Sequence, residues 1–125
     1  MSLNVRVVRE GSQQATVHVG GRLDSETFGE LESEILPFFS GLTKRLILDL
    51  EGLEYISSAG VRVVVKARKA LRTNDGEVLV VNMQRQVAKV FKVIRAIPDS
   101  SVFQSIRELD RYLDAIQKKV LEEDD

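Results

Sequence analysis

The stretch LEYISSAGVRVVV, residues 53–65, holds two adjacent serines, Ser57 and Ser58, with Gly60 close behind. A serine at the start of a helix can do two things. Its hydroxyl can accept a backbone N–H of the first turn and cap the helix, which is worth about 1 kcal/mol. It can also accept a phosphoryl group, which adds a charge of about −2 that the free N–H groups of the first turn can receive. Gly60 would lie in that first turn, where glycine costs roughly 1 kcal/mol relative to alanine. Its presence implies a close approach, either by another chain or by the neighbouring strand.

Other chemistries are poorly supplied. No Walker loop, no GxGxxG after a strand and no GxSxG occur, and no pair of acidic residues is singled out by its spacing. The serine pair has no plausible histidine partner, because the single histidine, His18, falls in an alternating strand pattern. One histidine without carboxylates at a defined spacing makes no metal site, and the absence of cysteine removes thiolate chemistry and Cys-ligated zinc. The expectation is a protein that is not an enzyme, with no catalytic residues, no metal and no cofactor.

Composition agrees with a binding role. The net charge is −1, with basic residues interleaved among acidic ones. Nucleic-acid binders need a basic face to displace counterions, so none is expected here. Apolar residues form 43% of the chain and charged residues 30%, enough for a core and a well-solvated surface. No apolar run reaches the length of a membrane span, and MSLNVRVVRE lacks the apolar region of a signal peptide. A cytoplasmic protein is expected.

The elements that would position the serines can be read from periodicity. NVRVVR (4–9) and ATVHVGGRL (15–23) read as two strands of a hairpin around GSQQ. Asp24 and Ser25 offer caps, and Thr27 with Glu30 fits a capping box, for a helix over about 26–40 that Pro37 kinks or stops. RLILDLEGL (45–53) reads as a strand buried on both faces, and EGLEYISS as the turn that follows it. Residues 59–72 mix strand propensity with a helical stripe of Ala59, Val63, Ala67 and Leu71, and KARKALR lacks alternation, so a helix is predicted. EVLVVNM (77–83) is another buried strand. A short helix carries Val87, Val90, Phe91 and Ile94, Val102 and Phe103 form an edge strand, and Ser105 with Glu108 boxes a last helix with a stripe of Ile106, Leu109, Leu113, Ile116 and Val120. The order β-β-α-β-α-β-α-β-α implies an α/β fold with a mostly parallel, mixed sheet of four or five strands and about four helices. A single domain is expected over 1–125, with a core over about 4–117 and an acidic, frayed tail at 118–125.

Three stretches in this order resemble the STAS domain family, bacterial anti-sigma factor antagonists in particular: VHVGGRLDSETFGELESEI, LILDLEGLEYISSAGVRVVVKARKAL and GEVLVVNMQRQVAKVFKVI. LDLEGLEYISSAG and GRLD carry most of the likeness. The resemblance implies a protein that binds an anti-sigma factor serine kinase and so releases a sigma factor. It also implies that the kinase phosphorylates a serine at the helix start, which breaks the complex, and that a PP2C-type serine phosphatase restores it. By position the phosphoacceptor falls on Ser58. The place before it, often acidic in the family, is Ser57, which is the alternative acceptor. Asp24 matches the family's loop aspartate, with a role either as a cap or at the partner surface. The implied partner surface comprises loop 20–25, the 55–60 turn and the first turns of the helix: Asp24, Ser57, Ser58, Gly60, Val61 and Arg62. On it Val61 would be an outward-facing contact or would pack under the sheet. The alternative reading is a STAS scaffold or regulatory subunit of another signalling or transport assembly, without a phospho-switch.

Overall fold

Gly11 takes φ +79 in the first turn, a left-handed conformation that glycine enters without steric penalty. It lets β1 (Leu3–Glu10) fold back on β2 (Gln14–Leu23). The pairing is antiparallel and continuous from Leu3↔Gly21 to Glu10↔Gln14. The structure is a computed structural model that describes residues 2–95 and 97–123 and, at 117 and 120–123, the backbone alone.

Strand β3 (Arg45–Asp49) runs parallel to the first half of β2, β5 (Glu77–Val81) parallel to β3, and β6 (Val102–Phe103) parallel to β5. The main path of the mixed sheet is therefore β1-β2-β3-β5-β6, at the upper end of the four or five strands expected. One strand was not foreseen. Leu53–Ile56 forms β4, off this path, and pairs in parallel with the last residues of β2, Gly21–Leu23. The segment expected to be a turn thus extends the seam along β2 after β3 has left it.

Four helices follow the predicted order: α1 (Phe28–Ile35), α2 (Ser58–Thr73), α3 (Arg85–Ile94) and α4 (Ile106–Glu123). A 3-10 turn at Leu36–Phe39 takes over from α1 where Pro37 removes an amide donor. The alternation of the strands sorts the core into two layers. Val17, Val19, Leu46, Leu48, Val78 and Val80 meet Leu31 and Ile35 of α1, Val61, Val64 and Leu71 of α2, and Val87 and Phe91 of α3. Ile47, Leu79, Val81 and Phe103 face the opposite way, onto Leu109 of α4.

Two local expectations change. Thr27 makes no side-chain cap bond to α1. Its hydroxyl instead donates to the Arg22 carbonyl at 2.8 Å and accepts the Asp24 amide at 2.9 Å. In α4 only part of the predicted stripe is covered: Leu109 is buried, whereas Ile106 and Ile116 are exposed. The sheet beneath α4 is short, β6 having two residues. The Val120 side chain and the end of the acidic tail, 124–125, lie outside the described residues. Ser105 does cap α4, accepting the Glu108 amide at 3.1 Å, while Glu108 reaches back to the Gln104 amide at 3.1 Å.

Candidate functional site

Asp49 ends β3 with a buried carboxylate, and its bonds shape the approach to the serines. Its oxygens take the Glu51 amide at 3.1 Å, the Asn82 side-chain amide at 3.1 Å and His18 Nδ1 at 3.0 Å. The carboxylate therefore turns the chain sharply after β3. Gln84 and Gln86, at the start of α3, hold the next residues by donating to the Glu51 and Glu54 carbonyls at 2.8 and 2.9 Å. His18 thus has a structural partner in Asp49.

The seam of β2 and β4 delivers the chain to the site. Leu23 and Ile56 are register partners, so Asp24 and Ser57 leave adjacent strands side by side. The Ser57 amide donates to the Leu23 carbonyl at 2.9 Å. Ser57 is extended, with φ −99 and ψ 174, and its hydroxyl accepts the Gly60 amide at 3.5 Å. Ser57 is therefore the N-cap of α2. Ser58 is the first helical residue and is exposed, and its hydroxyl has no hydrogen-bond partner among the described residues. The two serines of the pair hold different positions: one hydroxyl is turned to the helix, the other to solvent.

Asp24 caps its own turn. Its Oδ1 accepts the Glu26 amide at 3.0 Å and the Thr27 amide at 3.2 Å, an arrangement typical of aspartate in turns. The Glu26 amide foremost, with the Thr27 bonds and the Arg22 charge assisting, holds the carboxyl below its ordinary value against the opposing desolvation. Arg22 approaches Asp24 at 3.8 Å and lies 4.1 Å above the Tyr55 ring. Both side chains are partly exposed beside the serines.

Gly60 is explained by packing. A Cβ there would lie 2.7 Å from Leu23 Cγ and 2.9 Å from Ile56 Cγ1, both in buried side chains. The close approach is that of the helix onto the ends of β2 and β4. Val61 corrects one expectation. It is 1% exposed and belongs to the core under the sheet, so its side chain is closed to a partner. The α2 stripe Gly60, Val61, Val64, Ala67 and Leu71 points inward with it. Arg62 is exposed as expected.

An apolar surface does lie beside Ser58, and the sequence reading missed it. Phe28, at the first position of α1, is 36% exposed. It lines an open groove between α1 and α2 with Ser25, Ala59, Arg62 and Val63. Lys66 and Glu32 close the groove at 3.4 Å. The helix expected over about 26–40 is shorter, Phe28–Ile35. Because the helix starts at Phe28 itself, the ring stands at the rim of the core.

Among the described residues no group of three potential ligands could hold a metal, and no helix is long and apolar enough to cross a membrane. Comparison with known proteins places this geometry. The family model described as STAS domain matches residues 6–109. The anti-sigma-B factor antagonist of Staphylococcus aureus strain NCTC 8325 is 30% identical over 93 residues, which cover 74% of this chain and 85% of that protein. The anti-sigma factor antagonist SpoIIAA in its unphosphorylated form superposes with a TM-score of 0.76 at 18% identity, covering 90% of this chain and 97% of the other. The phosphorylated form of SpoIIAA from Bacillus gives 0.70 at 19% identity, covering 87% and 99%.

Proposed function

Because the chain belongs to the STAS domain family, within the anti-sigma factor antagonist group, we propose that it binds an anti-sigma factor and is switched by phosphorylation of Ser58. The observation that carries this reading is the division of labour in the serine pair. The Ser57 hydroxyl is engaged as a cap, whereas the Ser58 hydroxyl is exposed at the first helical position, without a partner among the described residues. A kinase can reach it, and the helix can receive the phosphate without unfolding.

The partner surface in this reading is built from the Asp24 turn, Ser58, Arg62 and the Phe28 groove. Phe28 takes the anchoring role first considered for Val61, since a partly exposed aromatic ring offers apolar area at low entropic cost. A phosphate on Ser58 would stand next to Ala59 and one helical turn before Arg62, both of which line that groove. It would desolvate poorly and repel acidic groups on a docked partner, which breaks the complex. The partner is a serine-kinase anti-sigma factor, and a serine phosphatase of the PP2C type reverses the mark. The role is that of ligand and substrate rather than catalyst.

The test is mass spectrometry after incubation with ATP and the serine-kinase anti-sigma factors of the same genome, comparing wild type, Ser57→Ala and Ser58→Ala. A single phosphate lost only in Ser58→Ala supports the switch and its residue. Loss only in Ser57→Ala moves the acceptor by one position. Binding without modification would overturn the switch and leave a scaffold.

A further inference from the structure

Strand β1 ends the sheet. Among the described residues it pairs with β2 alone, and its other edge carries the unpaired amides and carbonyls of every second residue along Leu3–Glu10. Exposed edges of this kind template pairing with another chain, and most proteins blunt them with proline, bulges, brevity or charge. Here the register with β2 runs without a bulge and LNVRVVRE contains no proline. Val5, Val7 and Val8 favour extended backbone, and Val8 is 36% exposed. Only Arg6, Arg9 and Glu10 guard the edge.

Those charges are complementary under two-fold symmetry. When two copies of β1 pair antiparallel about an axis normal to the sheet, residues directly opposite share a face, so the axis passes through one residue. An axis through Arg6, Arg9 or Glu10 sets like charges against each other. An axis through Val7 leaves Arg6 opposite Val8 and Arg9 opposite Val5. An axis through Val8 sets Val8 against Val8, Val7 against Arg9, and Arg6 against Glu10 twice. Glu10 is already oriented on that face, accepting from Thr16 at 2.6 Å and Gln14 at 3.0 Å.

We propose that the β1 edge is a homodimer interface in which two chains pair antiparallel about Val8, held by main-chain bonds and two reciprocal Arg6–Glu10 pairs. The two sheets then become one continuous sheet. Val8 lies opposite Thr16, seven residues along β2 from Leu23, a distance of about 23 Å at strand rise. The dimer leaves both Ser58 surfaces free, at opposite ends of the assembly.

The experiment is sedimentation equilibrium of the full chain from micromolar to millimolar concentration, with Arg6→Glu, Glu10→Arg and an equimolar mixture of the two. Circular dichroism checks that each variant is folded. The expected result is a self-associating wild type and variants that each self-associate roughly tenfold or more weakly, since both cross-strand pairs become repulsive. The mixture should restore association, because one variant is then acidic at both positions 6 and 10 and the other basic at both, so each cross-strand pair again joins opposite charges. A wild type that stays monomeric throughout, or a dimer indifferent to all three samples, overturns the proposal.

Discussion

The Ser57 amide donates to the Leu23 carbonyl at 2.9 Å, so the residue that caps α2 also closes the β2–β4 seam. The cap, the helix start and the Asp24 turn are therefore one mechanical unit. Ser58 is the first residue beyond it.

This division predicts unequal effects of two similar substitutions. Ser57→Ala removes the acceptor for the Gly60 amide and should cost up to about 1 kcal/mol. The 3.5 Å length of that bond favours the lower part of the range. Ser58→Ala removes a hydroxyl with no partner among the described residues and should leave stability within about 0.5 kcal/mol. Urea denaturation of both variants measures the difference, and equal losses would contradict the assignment of the cap.

Gly60→Ala should destabilise the fold even though alanine is the better helix former. The gain in helix propensity is about 1 kcal/mol. Against it stands overpacking onto Leu23 and Ile56 at 2.7 and 2.9 Å, which costs about 1–3 kcal/mol in a filled core. A net loss of about 1 kcal/mol is expected in thermal or urea unfolding. A more stable Gly60→Ala protein would show that α2 can withdraw from the strand ends.

Asp24 should contribute an acid-sensitive part of stability. Its carboxyl is held below its ordinary value of 3.8, chiefly by the Glu26 amide. A group depressed in the folded state stabilises above its unfolded value, and that contribution is lost as pH falls through the folded value. The stability difference between wild type and Asp24→Asn should thus be constant near neutrality. It should shrink only below about pH 4, within the ordinary carboxylate range. Denaturation series across that interval report it, and a difference that grows on acidification would have the wrong sign.

The buried Asp49 carboxylate should be far less replaceable. Asp49→Ala strands the Glu51 amide, the Asn82 side chain and His18 together. A buried polar group left unpaired costs about 1–3 kcal/mol, so a loss of about 2–4 kcal/mol is expected, with Asp49→Asn milder. Urea unfolding of the two variants checks both the size and the order.

Phe28→Ala tests the groove separately from folding. The ring is 36% exposed, so stability should fall by no more than about 1–2 kcal/mol, less than for a fully buried ring. Affinity for the cognate anti-sigma factor should fall roughly tenfold or more if the ring is an anchor. Calorimetric titration against Arg62→Ala separates the groove from its charged rim, and unchanged affinity in Phe28→Ala would remove the groove from the interface.

Much of this architecture was legible because strong periodicities were present. The apolar runs of β3 and β5 suited strands buried on both faces, and the stripe of α2 outweighed its valines. Strand β4 was illegible for a physical reason. It has four residues, and Leu53 and Ile56 are buried three apart while Glu54 and Tyr55 both face solvent, so no alternation announces it. Only its register with Gly21–Leu23 makes it a strand. Val61 was equally open from sequence, because its side chain is placed by where Gly60 lets the helix settle. The serine pair was visible as a pair, but which hydroxyl caps depends on where α2 begins, a boundary set by the Leu23 carbonyl.

Leu23 and Ile56 pack so closely on Gly60 that the first turn of α2 sits tight against the strand ends. A phosphate at Ser58 then has little shape to change. The domain would carry its signal as an address label does, legible on the outside of an unaltered parcel. Relatives could be redirected to new readers by editing exposed lettering alone, with the parcel left intact.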